Sequence, residues 1–389
     1  MTEDEYLDKE ESENDIYLQG LVAQCDSAYR DGSLETLVFS EEEFDILINY
    51  YIEEMEEGVA YSLSKMGYEQ HPYSGDLTIR YADALIISGE TDEAIELLNK
   101  QLNYDSCDSD IYLLLARSYV RKREDEDVFF YTKKAVFFNT EENPEFFWIS
   151  VAQEYLEQDD YDNALKCYKN AESLAPDNED LLNDLAYTYE RAGLPNESIL
   201  YYRKYIDRDA FNDNVWSNLG TIYAREDEHD KAIEAFNYAY ALNSSNSSAL
   251  YNKGILLVNI DRFSDAQEVF DDFIQLEPDS YLSFIAIAEA FILKDQYDQA
   301  LIYIRIVIDK FTGDYEHLSE LLHTAYLKTT NPEIQLYYIA SLYRTNNLCS
   351  IDENIDILMS HNSTIWLDKL LVLIPDLKHN ERILHYIEK

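Results

Sequence analysis

The chain has 389 residues, 46% of them hydrophobic, and its 78 acidic against 30 basic residues leave a formal net charge of −48 at pH 7. That balance excludes partners held by a basic stripe, because a nucleic-acid backbone or an anionic membrane would be repelled over most of such a surface. No stretch reaches the roughly 18 consecutive apolar residues of a membrane span, and the opening Met1-Thr-Glu-Asp-Glu reverses the basic-then-apolar order of a signal peptide. The composition therefore reads as soluble and cytoplasmic. Cys25, Cys107, Cys167 and Cys349 are isolated, with no C-x-x-C pair, and read as reduced packing residues.

Residues 1–40 form an acidic leader, with Glu3, Asp4, Glu5, Asp8, Glu10, Glu11, Glu13 and Asp15 against Lys9. Its first dozen residues are expected to be frayed or disordered. From Ile16 the spacing of Leu18, Leu21, Val22 and Cys25 is helical and predicts a capping helix.

Residues 41–314 repeat with a period near thirty-four residues, as units 41–74, 75–108, 109–144, 145–178, 179–212, 213–246, 247–280 and 281–314. The eighth position reads Ile48, Ala82, Ala116, Ala152, Ala186, Gly220, Gly254 and Ala288, and the twentieth Ala60, Ala94, Val128, Ala164, Ser198, Ala232, Ala266 and Ala300. The eleventh carries Tyr51, Leu85, Tyr119, Tyr155, Tyr189, Tyr223, Leu257 and Phe291. Small residues where two helices touch and bulky ones where a gap remains are what close helix packing demands. The small column is expected to face a neighbouring backbone. Pro72, Pro176 and Pro278 stand where second helices must end. Thr140-Glu141-Glu142-Asn143 reads as a lengthened loop, and Gly89, Gly193 and Asp159-Asp160 mark turns inside units.

Beyond Asp314 the register fails. Tyr315 to Lys328, a helix opened by Asn331-Pro332, and three short helices over Ile355 to Met359, Thr364 to Ile374 and Asn380 to Tyr386 are expected to form a capping bundle over 315–389.

Trp216-Ser-Asn-Leu219-Gly220-Thr-Ile-Tyr223, followed by Ala232-x-x-x-Phe236, carries a resemblance to the tetratricopeptide-repeat family. The layout is similar to stand-alone bacterial proteins of that family. The resemblance implies an all-α solenoid of helix-turn-helix repeats wound as a right-handed superhelix with helical caps. It further implies a concave groove, lined by positions two, five, six, nine, twelve and thirteen of each first helix, that holds a peptide or protein segment. Read at those positions, the peptide-binding candidates are Asn183, Asp184, Tyr187, Arg191, Asn218, Thr221, Arg225, Tyr251 and Asn252. Asp184, Asn218 and Asn252 share position six and form a polar ladder of the kind some members use on a peptide main chain. Arg80, Arg117 and Arg121 make a secondary, mixed apolar and basic stretch. The family's clamp for a C-terminal carboxylate is missing, since position five reads Asp45, Ile79, Leu113, Ile149 and Asn183.

No glycine-rich phosphate loop, G-x-S-x-G or H-E-x-x-H motif is present, and no cofactor is called for. Glu316, His317, Glu320 and His323 share a predicted helix, but the paired motif of a di-iron bundle lacks its second copy, so they read as solvated helix residues. The resulting expectation is a non-enzymatic scaffold or adaptor that binds a protein or peptide in the groove. The alternative is an acidic regulatory sequestrator of a basic protein.

Overall fold

A computed structural model describes residues 3–140, 143–311, 315–345 and 347–387. Among the described residues every regular element is a helix. The chain divides into two compact units, Met1–Tyr201 and Tyr202–Lys389.

The first unit opens with α1 (Glu3–Arg30) and a 3-10 turn (Leu34–Thr36). Helix pairs follow: α2 (Glu41–Glu53) with α3 (Glu57–Gln70), α4 (Gly75–Ser88) with α5 (Thr91–Gln101), α6 (Ser109–Lys122) with α7 (Asp125–Phe138), and α8 (Glu145–Glu157) with α9 (Tyr161–Leu174). Helix α10 (Glu179–Arg191) comes next, and the division between the units falls within α11 (Pro195–Ile206). The second unit continues with α12 (Asp213–Arg225), α13 (His229–Leu242), α14 (Ser247–Asn259), α15 (Phe263–Leu276), α16 (Tyr281–Leu293) and α17 (Tyr297–Lys310), again paired in order. It ends with α18 (Glu316–Thr329), α19 (Pro332–Arg344), α20 (Leu348–Leu373), a 3-10 turn (Pro375–His379) and α21 (Glu381–Ile387).

Local chemistry starts and stops these helices. Ser40 closes a capping box with Glu43, and Ser74, Asp108, Asn178, Asn212 and Asn246 each accept a first-turn amide. The chain reverses inside each pair through one residue in the left-handed region: Met55, Gly89, Arg123, Asp159, Gly193, Asp227, Asp261 and Asp295. Glycine and aspartate suit that backbone best. Asp159 thus forms the turn itself, and Asp160 caps α9 by accepting from Asn163.

The small columns are buried, with Ala82, Ala116, Ala152, Ala186, Ala232, Ala266 and Ala94 at 0% exposure. Their neighbour differs from expectation at the two glycines. A Cβ on Gly220 would lie 2.7 Å from the ring of Phe236, and one on Gly254 would lie 2.3 Å from that of Phe270. The glycines make room for a phenylalanine on the paired second helix, not for a backbone.

Two further expectations are corrected. Helix α1 already runs from Glu3, consistent with the high helix propensity of glutamate and with acidic residues at a helix N-terminus. It packs on α2, where Tyr51 donates to Asp26 at 2.8 Å and Leu21, Cys25 and Ala28 join the core of Phe44, Leu47 and Ile48. Helix α20 is a single 26-residue helix rather than two short ones, since the polar run from Ser360 to Thr364 contains neither proline nor glycine to break it. Leu318, Ile339, Ile355, Leu370 and Ile383 from the C-terminal helices share one core with Phe284 and Ile304. Glu141, Glu142, Asp314 and the side chain of Cys349 lie outside the described residues.

Candidate functional site

In the first unit, Arg80, Arg117 and Arg121 are engaged by carboxylates on neighbouring first helices. Arg80 on α4 donates to Asp45 on α2 at 2.7 and 3.0 Å. Arg117 on α6 donates backward to Asp83 on α4 at 2.7 Å and forward to Glu154 on α8 at 3.2 Å. Arg121 Nε lies 2.6 Å from the other Glu154 oxygen, and its Nη2 lies 3.6 Å from Glu157. Burial opposes the charge of Arg117, yet the carboxylates of Asp83 and Glu154 outweigh it and its pKa is raised. The basic members of the mixed apolar and basic stretch therefore belong to a set of ion pairs joining α2, α4, α6 and α8.

Glu154 is the residue that the sequence reading missed. It is 4% exposed. A signal existed, since the tenth position of the other units reads Tyr50, Ala84, Ser118, Thr188, Ile222, Leu256 and Ala290, none of them charged. A carboxylate in that column needs cations beside it.

The other first-unit candidates divide. Asn183 and Asp184 are partly buried on α10, while Tyr187 is exposed. Burial, followed by the neighbouring Asp180, pushes the Asp184 carboxyl up to about 6. Arg191 reaches the start of α9, where it donates to the Tyr161 hydroxyl at 2.9 Å and lies over its ring at 5.6 Å. It lines a cavity of about 430 Å³ with Arg123, Asp160 and Tyr161.

In the second unit, Thr221, Arg225, Tyr251 and Asn252 line one cavity of about 500 Å³ with His229, Phe236, Ile255 and Asn259. Helices α12 and α14 pack against each other and bring these residues together. The Asn252 amide donates to the Thr221 hydroxyl at 3.4 Å, at the long end of hydrogen-bond distances. Tyr251 is half-buried with its ring 5.6 Å from Phe273, and burial, with a smaller contribution from Glu289, raises its pKa. Asn218 is exposed on α12 and outside this cavity. The polar lining of this cavity comprises the amides of Asn252 and Asn259, the hydroxyls of Thr221 and Tyr251, the His229 imidazole, the Asp227 carboxylate and the Arg225 guanidinium, beside the apolar wall of Phe236, Ile255 and Leu256.

The histidines of α18 go separate ways: His317 lies 3.6 Å from Glu289, and the His323 ring is 5.1 Å from that of Tyr338. Among the described residues no three His, Cys, Asp or Glu side chains are grouped to hold a metal ion, and no helix is long and apolar enough to cross a membrane.

A TPR repeat family model matches residues 152–193, and a tetratricopeptide repeat model matches residues 179–212 and 213–246. Among curated proteins, the chain is 33% identical over 107 residues to Protein bimA of Emericella nidulans, covering 26% of this chain and 12% of that protein. It is 25% identical over 155 residues to Anaphase-promoting complex subunit 3 of Schizosaccharomyces pombe, covering 40% of this chain and 23% of that protein. The chain thus spans less than a quarter of the length of either relative. Among solved structures, that of the MamA protein is 26% identical with a TM-score of 0.39, covering 43% of this chain and 91% of that one. With paired helices, buried small columns and family models on consecutive stretches of thirty-four residues, the chain is a tetratricopeptide-repeat protein.

Proposed function

We propose that this chain is a non-enzymatic scaffold or adaptor that holds a peptide or protein segment along the exposed faces of its first helices. Proteins built on this repeat generally mediate protein–protein interactions, and the fold is typically a non-enzymatic interaction scaffold. The observation that carries the reading is the shared cavity of Thr221, Arg225, Tyr251 and Asn252. An amide side chain both donates and accepts, so Asn252, whose hydrogen bond to Thr221 is long at 3.4 Å, can turn to the main chain of an extended segment. Tyr251 beside it supplies a ring for an apolar side chain. The name of the Schizosaccharomyces pombe relative, a complex subunit, supports a place in an assembly.

The test is a pulldown with mass spectrometry at low and at high salt, followed by binding assays of the recovered partner with Asn218→Ala/Asn252→Ala. Groove binding through amides and rings persists at high salt and weakens in the variant. Capture by overall negative charge collapses at high salt and ignores the variant.

A further inference from the structure

Two cavities in the first unit stand apart from the amide and tyrosine set of the second. One, of about 760 Å³, is lined by Glu41, Glu42, Asp45, Asp76, Asp83 and Asp110, with Ile79, Leu113 and Leu114 supplying apolar surface and Arg80 the basic member. The other, of about 520 Å³, is mainly apolar and includes Ile48, Ile52, Met55 and Ile87. Arg80 and Asp83 line both, so the two adjoin along α4.

Charge is distributed unevenly along this face. Arg80 is held by Asp45 and Asp83 receives Arg117, both at 2.7 Å, which neutralises the shared wall from within. The excess negative charge lies with first-turn residues such as Glu41, Glu42 and Asp76, where helix dipoles stabilise carboxylates. The apolar end has its own anomaly. Met55 occupies the left-handed turn at φ 60 and is 86% exposed, whereas the same turn in the other pairs carries Gly89, Gly193, an arginine or an aspartate. A long side chain is disfavoured in that backbone region and gains nothing from water. Ile52 at 47% and Ile87 at 45% exposure stand beside it.

We infer that this face docks a basic, amphipathic peptide segment, with an apolar side chain among Ile52, Met55 and Ile87 and lysine or arginine side chains at Glu42 and Asp76. The inference rests on the reading that first-helix faces hold a chain segment, and it assigns the chemistry of that segment. From Ile87 to Asp76 is about 16 Å along the helix axis, a span of about five extended residues. A second copy of this chain is the wrong occupant, because each copy carries a net charge of −48.

The probe is a fluorescein-labelled synthetic peptide with one leucine and, five positions on, three lysines. A second peptide has serine for the leucine. Fluorescence anisotropy with the full chain is expected to show binding of the leucine probe about tenfold weaker for Met55→Gly/Ile87→Ser and for Glu42→Lys/Asp76→Lys, each loss corresponding to one good contact. Met55→Gly relieves the turn, so the first variant is checked by melting to be folded. The serine peptide should not distinguish Met55→Gly/Ile87→Ser from the parent. Glu268→Lys/Asp298→Lys, the same charge change at exposed positions of the second unit, should bind the leucine probe like the parent. No binding by the parent, or equal losses in the Glu42→Lys/Asp76→Lys and Glu268→Lys/Asp298→Lys pairs, would overturn the inference. Equal binding by the parent and Met55→Gly/Ile87→Ser would do the same. Such a failure leaves the second-unit reading intact, because the variants of Asn218 and Asn252 decide that separately.

Discussion

Glu154 on α8, 4% exposed, accepts from Arg117 Nε on α6 at 3.2 Å, so a carboxylate in a column otherwise free of charge ties two successive first helices together. Removing it leaves Arg117 and Arg121 without their common anion. Glu154→Ala is expected to lower stability by about 3 kcal/mol, the range for a buried pair that loses one partner. Glu157→Ala, whose side chain is 68% exposed, should change it by less than about 0.5 kcal/mol. Urea titrations of both variants check this, and equal midpoints would remove the structural role assigned to Glu154.

The glycine column gives a graded expectation. Gly254→Ala places a Cβ 2.3 Å from the Phe270 ring and Gly220→Ala places one 2.7 Å from that of Phe236, so each should cost about 1–3 kcal/mol, with Gly254 the worse. Combining Gly254→Ala with Phe270→Leu should be less damaging than the sum of the two, because the leucine vacates the contested space. Additive losses in the double-mutant cycle would show that the contact is not the cause.

The period and the packing columns were legible because they are steric. Ala116 and Ala232 had to be small wherever two helices meet, and both are fully buried. The partners of Arg80 and Arg117 were not legible. The repeat register says which residues share a face, but several carboxylates on adjacent first helices fall within reach of one long side chain, and the choice is made only by three-dimensional packing. Arg191 shows the same limit, since its column position does not reveal that its hydrogen bond goes to Tyr161. In the second unit Thr221, Arg225, Tyr251 and Asn252 line one cavity and Asn218 does not, a division that column positions alone do not reveal.

Asp184 should make stability depend on pH. Its folded pKa is about 6 against an ordinary value of 3.8, so between these values the folded state binds the proton more tightly than the unfolded chain. Stability contributed by this group is full below about pH 4 and is lost as the pH rises through about 6. Asp184→Asn should therefore stabilise the protein at pH 7 by about 1–2 kcal/mol, discounted for the part of the side chain that meets water. It should leave stability near pH 3.5 unchanged. Parallel denaturation curves for parent and variant at both pH values test the sign, and a loss of stability at pH 7 would contradict it.

The cysteines differ in reactivity. Cys25 and Cys167 are fully buried, and burial, with smaller contributions from nearby Asp26 and Asp125 respectively, pushes their thiols up to about 11 and about 12. Cys107 is exposed, contrary to its expected packing role. Iodoacetamide on the native protein at pH 8 should modify Cys107 while sparing the other two, because the thiolate is the reactive form. Peptide mapping by mass spectrometry reads the outcome, and modification of Cys25 or Cys167 at a comparable rate would show that the core around them opens.

The most direct measurement for segment binding is calorimetric titration of a partner recovered in the pulldown into the parent, Asn218→Ala/Asn252→Ala, and Asn170→Ala. Asn170 lies on the second helix α9 and its amide donates to the Lys166 carbonyl at 2.8 Å. The predicted result is a loss of about 1–3 kcal/mol in the double variant as the Asn252 amide's donated and accepted main-chain contacts disappear, most of it reproduced by Asn252→Ala alone, with Asn170→Ala binding like the parent. Equal affinities for all of them would contradict a binding face on α12 and α14.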